Sequence, residues 1–289
     1  MVSAAAPQST DDPQRYAADV VRASGSSFAR PIMFLPRHKR QAMIALYAFC
    51  RETDDIVDEI PDPEEARERL AAWRAELDAL FDGHPRHPVT RALAAPVAEF
   101  HLPKRHFVEI LEGFEMDRSG RMVRPDMTTL ERYCYCVASC VGLISIEIFG
   151  YKDPRVRDFA YQLGQAFQLT NILRDVEEDA ARGRIYLPRE ILERHGLDKT
   201  PARDLLGAPA MWAVCRDIGA LAREHFAAAR AALPAAEVRN MRPALLMRAI
   251  YERYLDRMEA SDWRLNGSRV RLGRATKAWV LLRALFSTL

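Results

Sequence analysis

Two acidic segments decide how this chain must fold: Asp54-Asp55-Ile56-Val57-Asp58 and, more than a hundred residues later, Asn171-Ile172-Leu173-Arg174-Asp175-Val176-Glu177-Glu178-Asp179. In an α-helix, residues four apart differ by only about 40° around the axis. Asp54 and Asp58 therefore share one face, as do Asn171, Asp175 and Asp179. Apolar sequence surrounds both segments, and ionised carboxylates that point into a core are very costly unless cations neutralise them. Two such stripes facing each other would hold a divalent metal.

Arginines favour this interpretation over the simpler one, in which each acidic run is only a solvated helix face. Arg51 precedes the first segment, Arg174 lies inside the second and Arg184 follows it. Mg²⁺ is usually bound by a few carboxylates and completed by phosphate oxygens of the substrate, and Arg matches phosphate geometry with two parallel hydrogen bonds. The combination indicates a diphosphate ligand.

Composition and charge are those of an ordinary globular protein. The 289 residues are 49% hydrophobic and 28% charged, and a net charge of +2 favours neither nucleic acid nor any other charged partner. The N-terminus has no apolar signal region, and no uninterrupted apolar run approaches the roughly 18 residues that a membrane span needs. The sequence therefore predicts a cytoplasmic protein that binds no nucleic acid.

Five cysteines, an odd number, do not predict a disulfide framework. Cys134, Cys136 and Cys140 invite comparison with a metal site, but no histidine or second cysteine pair stands near them in the sequence. We expect them to be small core residues. The spacing Glu-x-x-His occurs nowhere in the chain, which argues against a di-iron bundle.

The rest of the sequence reads as helix after helix, with marked starts and few glycines. Examples of such starts are Asp62-Pro63-Glu64-Glu65 and a capping box of Thr128 with Glu131. The pattern predicts helices near 12–24, 37–60, 63–82, 87–96, 104–119, 128–149, 154–182, 188–195, 202–232, 236–264 and 273–287. Because the acidic segments must meet, the sequence predicts one all-α domain over 1–289, a helical bundle that encloses a central cavity, with 1–11 flexible.

Apolar residues near the acidic segments indicate the rest of the substrate. They could line an elongated cavity, although each of them taken singly is more often ordinary core. The candidates are Phe28, Met33, Phe34, Ile44, Tyr47, Phe49, Tyr133, Val137, Val141, Leu143, Phe159, Leu163 and Phe167. A diphosphate at the metals with an apolar tail along the bundle describes an isoprenoid diphosphate. Metal-assisted loss of the diphosphate would leave an allylic cation that water must not reach.

Several segments, taken in their order and spacing, resemble the squalene and phytoene synthase family over roughly residues 20–260. The matching segments are Ser26-Ser27-Phe28, Leu46 to Asp58, Tyr133 to Ala138, Leu169 to Asp179 and Arg184-Ile185-Tyr186-Leu187-Pro188. Within the family, the segments that look most like the bacterial presqualene diphosphate synthases of hopanoid biosynthesis are Gly113-Phe114-Glu115-Met116-Asp117, 142–150 and 178–184. The resemblance implies the all-α isoprenoid synthase fold.

The resemblance also implies roles for individual residues. Mg²⁺, with Mn²⁺ as a substitute, would be bound by Asp54, Asp58, Asn171, Asp175 and Asp179. Asp55 is a weaker candidate because its side chain points about 100° away from that of Asp54. The residues that would hold the substrate are Ser27, Phe28, Tyr47, Arg51, Val137, Gln168, Asn171, Arg174, Arg184 and Tyr186. Tyr133 would be catalytic together with the four metal-binding aspartates, because its ring could stabilise a cation and its hydroxyl could assist proton movement.

The reaction that the family implies joins two farnesyl diphosphates head to head into presqualene diphosphate and releases diphosphate. The subgroup implies that the reaction stops at presqualene diphosphate and uses no NADPH. It also implies that the product passes to other enzymes of hopanoid biosynthesis. Alternatives inside the family are phytoene synthase, which uses two geranylgeranyl diphosphates, and a complete NADPH-dependent squalene synthase. A single-substrate terpene cyclase is disfavoured because Asp175 and Asp179 repeat the four-residue spacing. A catalytically dead scaffold is disfavoured because no carboxylate of the motifs is lost.

The segment 264–289 is basic and amphipathic. It contains six Lys or Arg residues and no acid, interleaved with apolar residues such as Trp279, Leu282 and Phe286. Such a segment could lie on anionic lipid, which would place the protein peripherally at the inner face of the membrane. The other interpretation is a last helix that docks on the bundle with its arginines in water.

Overall fold

A computed structural model describes residues 12–24, 29–264, 270 and 272–273. The described residues form helices joined by turns and loops, with no strand among them, which confirms the predicted all-α fold. The α-helices are α1 (Pro13–Ala23), α2 (Ala29–Ile32), α3 (Arg37–Glu59), α4 (Pro63–Phe81), α5 (Pro88–Glu99), α6 (Lys104–Arg118), α7 (Met127–Cys134), α8 (Cys140–Phe149), α9 (Val156–Ala181), α10 (Arg189–Arg194), α11 (Ala202–Leu205), α12 (Met211–Ala232) and α13 (Arg242–Ala260). The segment 1–11 and nearly all of the predicted helix 273–287 lie outside the described residues. One domain over 1–289 stays a prediction.

Side-chain caps explain where helices begin. Asp62 accepts a hydrogen bond from the backbone N–H of Glu64, and Pro63 occupies the first turn of α4. For α7 the predicted cap was wrong. Asp126, and not Thr128, accepts the hydrogen bond from the first-turn backbone, at 2.7 Å, so the helix begins earlier than the capping box indicated.

Two predicted helices are interrupted. The predicted helix 202–232 consists of α11 and α12, which are separated by a turn that contains Pro209. Proline has no N–H to donate and disfavours helix in the residue before it, so the helix cannot run through this point. The predicted helix 128–149 does continue, but Tyr135–Ser139 form one turn of π-helix between α7 and α8. The short α2 was not predicted.

Helix α9 is the central helix of the bundle. It packs along α12 and also contacts α8, α13 and the π-helical turn. Helix α3, which carries the first acidic segment, packs against α1, α5 and α6. Buried aromatic rings join these helices: Phe49 of α3 meets Phe107 of α6 with ring centroids 5.4 Å apart. Both acidic segments are therefore carried by helices that the core holds in place.

Two glycines leave the space in which the π-helical turn packs against α6 and α9. A Cβ atom at Gly164 would lie 2.4 Å from the Cα of Ser139, and one at Gly113 would lie 2.6 Å from a methyl carbon of Val137. The Ser139 hydroxyl donates a hydrogen bond to the backbone carbonyl of Tyr161 at 2.9 Å. Helices α6 and α9 thus hold this turn from two sides and fix the position of its residues.

All five cysteines are free thiols, and Cys134, Cys136 and Cys140 are buried, as the sequence predicted. The fold nevertheless brings Cys140 beside His106 and Glu109, although no histidine stands near it in the sequence. The Glu109 Oε2 lies 2.9 Å from the His106 Nδ1 and accepts a hydrogen bond from the Cys140 Sγ at 3.3 Å. These contacts satisfy buried polar atoms and join α6 to α8.

One stretch of the described residues, Met127–Phe149, is long and apolar enough to cross a membrane by length and composition. Glu131, Arg132 and Glu147 interrupt this stretch, so it is not an uninterrupted apolar run and does not contradict the expectation from the sequence. Within its most apolar window, 56% of the residues are buried inside the bundle, where the stretch packs against α6 and α9. Core helices meet the same criterion, so the stretch is weak evidence of a membrane span.

Candidate active site

The fold brings the two acidic segments together. Asp58 projects from α3, and Arg184, which follows α9, reaches it with its Nη1 atom 2.5 Å from the Asp58 Oδ1. Arg182, at the end of α9, lies 3.7 Å from the other Asp58 oxygen. Asp179 on α9 is close enough to Arg184 for the guanidinium charge to oppose the rise in the pKa of Asp179 that burial causes. The carboxylates of both segments therefore surround one polar region.

The first segment holds carboxylates with raised pKa values. Burial raises the pKa of Asp54 to about 7, the charge of Asp58 adds to the rise, and the Arg51 guanidinium opposes it. Burial also raises the pKa of Asp55 to about 6, again against the effect of Arg51. The Arg51 Nη1 lies 3.5 Å from the Asp54 Oδ2, and its other terminal nitrogen contacts Asp55. Arg51 thus contacts both carboxylates.

The two aspartates of the second segment, Asp175 and Asp179, have different environments. Burial raises the pKa of Asp179 to about 7, and the charge of Asp175 adds to that rise. Asp175 accepts two hydrogen bonds from Arg174, at 2.9 and 2.5 Å. The Arg174 guanidinium also lies 5.5 Å from the ring centroid of Tyr254. Asp175 is therefore neutralised by a close partner, whereas ionisation of Asp179 is disfavoured.

The donor atoms suit a hard divalent cation. The Asn171 Nδ2 donates a hydrogen bond to the Gln168 Oε1 at 3.2 Å, while the buried Oδ1 of Asn171 has no hydrogen-bond partner among the described residues. A buried acceptor without a partner, beside carboxylates with raised pKa values, is typical of a site that takes up a cation. All the donors are oxygen atoms, which Mg²⁺ and Mn²⁺ prefer. The residues of the two acidic segments that offer such oxygen atoms are Asp54, Asp58, Asn171, Asp175 and Asp179.

Asp117, on α6, is an acidic member of the site to which the sequence analysis gave no role. The Tyr186 hydroxyl donates to both of its oxygens at 2.8 Å, and the Tyr133 hydroxyl lies 3.5 Å from one of them. The two tyrosine rings stack with centroids 5.4 Å apart. Burial raises the pKa of Asp117, and the hydrogen bond from Tyr186 opposes the rise. The signal in the sequence was its position four residues after the buried Gly113, on the same helix face.

A cavity of about 370 Å³ adjoins this polar region and extends into the apolar core. Arg51, Asp54 and Asn171 line its polar side. Apolar side chains from α2, α3, α6, the π-helical turn, α8, α9 and α13 form most of the remaining wall. A ligand with a charged head and a long apolar tail fits this distribution of polar and apolar lining.

Most residues predicted to line the cavity do so. Those that line it are Tyr47, Tyr133, Val137, Val141, Phe159, Leu163, Phe167 and, among the other predicted substrate contacts, Gln168. The prediction was wrong for residues that pack in or against the core instead, which are Ile44, Phe49 and Leu143. It was also wrong for Met33 and Phe34, which are exposed because the loop between α2 and α3 lies at the surface. Ser27 and Phe28 lie outside the described residues.

Known proteins have sequences related to this one, and a solved structure has a similar fold. The sequence profile described as squalene/phytoene synthase matches residues 21–276. A presqualene diphosphate synthase from Zymomonas mobilis is 40% identical over 268 residues, which cover 92% of this chain and 91% of the relative. A phytoene synthase from Mycobacterium tuberculosis is 34% identical over 95% of this chain and 91% of its own. The crystal structure of a dehydrosqualene synthase matches with a TM-score of 0.81 and 26% identity, over 94% of this chain and 95% of that one.

Proposed function

Because this chain belongs to the squalene/phytoene synthase family, we propose that it condenses two farnesyl diphosphates head to head into presqualene diphosphate. The chain is a prenyltransferase. The observation that carries the proposal is that two carboxylate clusters meet beside one apolar cavity. The diphosphate heads would lie at the clusters and the prenyl chains in the cavity. The choice of the farnesyl chain is supported by the likeness to a presqualene diphosphate synthase.

Divalent metal would join the substrate heads to the acidic clusters. We assign Mg²⁺, with Mn²⁺ as a substitute, to Asp54, Asp58, Asn171, Asp175 and Asp179. When bound, the ion stabilises the negative charge of the departing diphosphate. Its charge would also oppose the effects of burial and of neighbouring carboxylates, which raise the pKa of Asp54 and Asp179. The family is one of enzymes that act on prenyl diphosphates, and this donor set agrees with its general need for divalent metal.

The arginines would exchange partners when substrate binds. Arg51, Arg174 and Arg184 each pair with a carboxylate of the clusters. If those carboxylates bind cations, the guanidinium groups are released to donate paired hydrogen bonds to diphosphate oxygens. The positive and negative charges of the site would then stay balanced before and after binding.

Tyr133 is the residue to which we assign contact with the reacting carbons. Its side chain lines the cavity, and its ring face could stabilise an allylic cation. The hydroxyl lies 3.5 Å from Asp117, so a proton lost as the cyclopropane closes could be held between these two groups and Tyr186. Apolar wall residues such as Val137 would exclude the water that would otherwise consume the cation.

Product analysis tests this proposal. Farnesyl and geranylgeranyl diphosphate are offered together with Mg²⁺, with and without NADPH. We expect presqualene diphosphate, and NADPH should change neither its identity nor its yield. Squalene that appears only with NADPH would refute the early stop. Phytoene as the preferred product would refute the farnesyl substrate and favour phytoene synthesis, the activity in the name of another relative.

We further propose a cytoplasmic enzyme at the inner face of the membrane, whose product is consumed by other enzymes of hopanoid biosynthesis. The sequence gives no reason to expect nucleic acid as a partner. The predicted lipid contact through 264–289 concerns residues that, apart from Arg264, Val270, Leu272 and Gly273, lie outside the described part of the chain.

A further inference from the structure

Met33 and Phe34 form an exposed apolar pair between α2 and α3. Their exposed fractions are 60% and 61%, and among the described residues only Val123, at 52%, is a comparably exposed large hydrophobic side chain. Single exposed hydrophobic residues are ordinary, but adjacent ones rimmed by polar groups mark contact surfaces. The pair is therefore a candidate contact surface.

The pair lies directly beside the substrate cavity. The two preceding residues, Pro31 and Ile32, are buried and line the cavity wall. Helix α2 packs against α3 and against α13, whose Pro243 and Ala244 line the same wall. One short segment therefore contacts the cavity at one end and solvent at the other.

Positive charge dominates the surroundings of the pair. The sequence contains no Asp or Glu from 20 to 51. Arg37 is exposed, and the Arg40 Nη1 donates a hydrogen bond at 3.3 Å to the backbone carbonyl of the first residue of the pair, so its guanidinium lies at the loop. Within the described part of the chain, the acidic side chain paired with this region is Glu99, 3.9 Å from the His38 Nε2. The surface thus combines apolar side chains with a cationic rim.

We propose that the segment 33–40 docks on a lipid surface that contains anionic headgroups. Met33 and Phe34 would enter the acyl boundary, while Arg37 and Arg40 would contact headgroup phosphates. The combination of apolar and cationic groups favours this partner over an uncharged surface. The adjacent cavity supplies a second reason, which rests on the proposed function: a product with long apolar chains would leave the cavity next to an apolar phase.

Flotation of the full-length chain with phosphatidylcholine vesicles, with and without added phosphatidylglycerol, tests the inference. The test variant combines Met33→Ser with Phe34→Ser, and the matched control is Val123→Ser, which removes a similarly exposed side chain elsewhere. We expect the double variant to lower the vesicle partition coefficient by about tenfold or more, and the control to leave it unchanged. Arg37→Gln should lower binding to the anionic vesicles by about fivefold and change binding to neutral vesicles little.

Turnover of soluble substrate is measured in parallel without vesicles. The exchanged side chains are not part of the cavity lining, so all variants should keep wild-type turnover and thermal unfolding. Failure of the proposed reaction would alter the product and not the flotation result. The inference would be overturned if the wild-type protein did not bind anionic vesicles. It would also be overturned if the double variant bound them as well as the wild type, or if Val123→Ser lost as much binding as the double variant. Unchanged binding by Arg37→Gln would overturn the contact with headgroups.

Discussion

Replacing Asp54 by Asn should stabilise the metal-free protein and abolish turnover at the same time. Burial and the charge of Asp58 raise the pKa of Asp54 to about 7 in the fold, whereas an unfolded aspartate has a pKa of about 3.9. The folded state therefore keeps a proton that the unfolded state has released. The stability contributed by that proton is present below about pH 4 and is lost as the pH rises through about 7. An amide of the same shape carries no charge and avoids this loss.

The size of the effect follows from the difference between the two pKa values. A rise of about three units would correspond to about 4 kcal/mol if the carboxylate were fully shielded from water. The Asp54 side chain is 46% exposed, so solvent screening reduces this value considerably. We expect Asp54→Asn to raise the free energy of unfolding by about 1–2 kcal/mol near pH 8, and by much less below about pH 5.

Asp175→Asn is the matched control, and its effect on stability should have the opposite sign. Asp175 accepts two hydrogen bonds from Arg174, and the two side chains are only 17% and 15% exposed. Removing this carboxylate leaves a buried guanidinium without its partner. The free energy of unfolding should therefore fall by about 3 kcal/mol. Both variants should lose nearly all turnover, because both carboxylates are proposed metal ligands.

Urea unfolding in buffer with chelator, followed by circular dichroism at about pH 5 and about pH 8, measures both stability changes. Turnover with Mg²⁺ is measured on the same preparations. A destabilised Asp54→Asn variant near pH 8 would refute the electrostatic reasoning. Wild-type turnover in either variant would refute the assignment of that carboxylate to the metal.

Gly164→Ala should lower the free energy of unfolding by about 1–3 kcal/mol, because its Cβ would collide with Ser139. Gly207→Ala, which meets no heavy atom closer than 3.6 Å, should change it little in the same urea titration, and equal losses would contradict the packing explanation. Tyr186→Phe should lower kcat by about tenfold with little change in KM, because Asp117 loses its hydrogen-bond donor; steady-state kinetics that show only a raised KM would contradict this role. Excess chelator should abolish product formation and Mg²⁺ or Mn²⁺ should restore it, whereas full turnover in chelator would exclude the proposed metal dependence.

Local signals made much of the helix layout predictable. Helix α3 was predicted at 37–60 and runs from Arg37 to Glu59, and α4 was predicted at 63–82 and runs from Pro63 to Phe81. Prolines and capping carboxylates define such starts within a few residues of sequence, and apolar periodicity defines the length. The four-residue spacing of the aspartates predicted their shared faces for the same reason.

Tertiary partners explain what the sequence could not predict. Asp117 gained a place in the site only through Tyr133 on α7 and Tyr186 after α9, both distant in the chain. A single aspartate on a helix otherwise looks like a solvated residue. Met33 and Phe34 have the composition of cavity residues, yet the path of the chain between α2 and α3 leaves them exposed. Met and Phe side chains can line a cavity or lie in an exposed loop, so only the fold distinguishes the two cases.

The ion pairs of the site explain how the bundle tolerates these acids. Arg174 neutralises Asp175 and Arg184 neutralises Asp58, whereas Asp54 and Asp179 retain raised pKa values. Partly buried ion pairs contribute little net stability over apolar groups of the same volume, so stability does not account for this arrangement. The proposed binding of a cation and a diphosphate would account for it. Binding of the metal and the diphosphate should therefore raise the free energy of unfolding and offset the stability lost at Asp54 and Asp179. This increase should grow with the ratio of the ligand concentration to its dissociation constant.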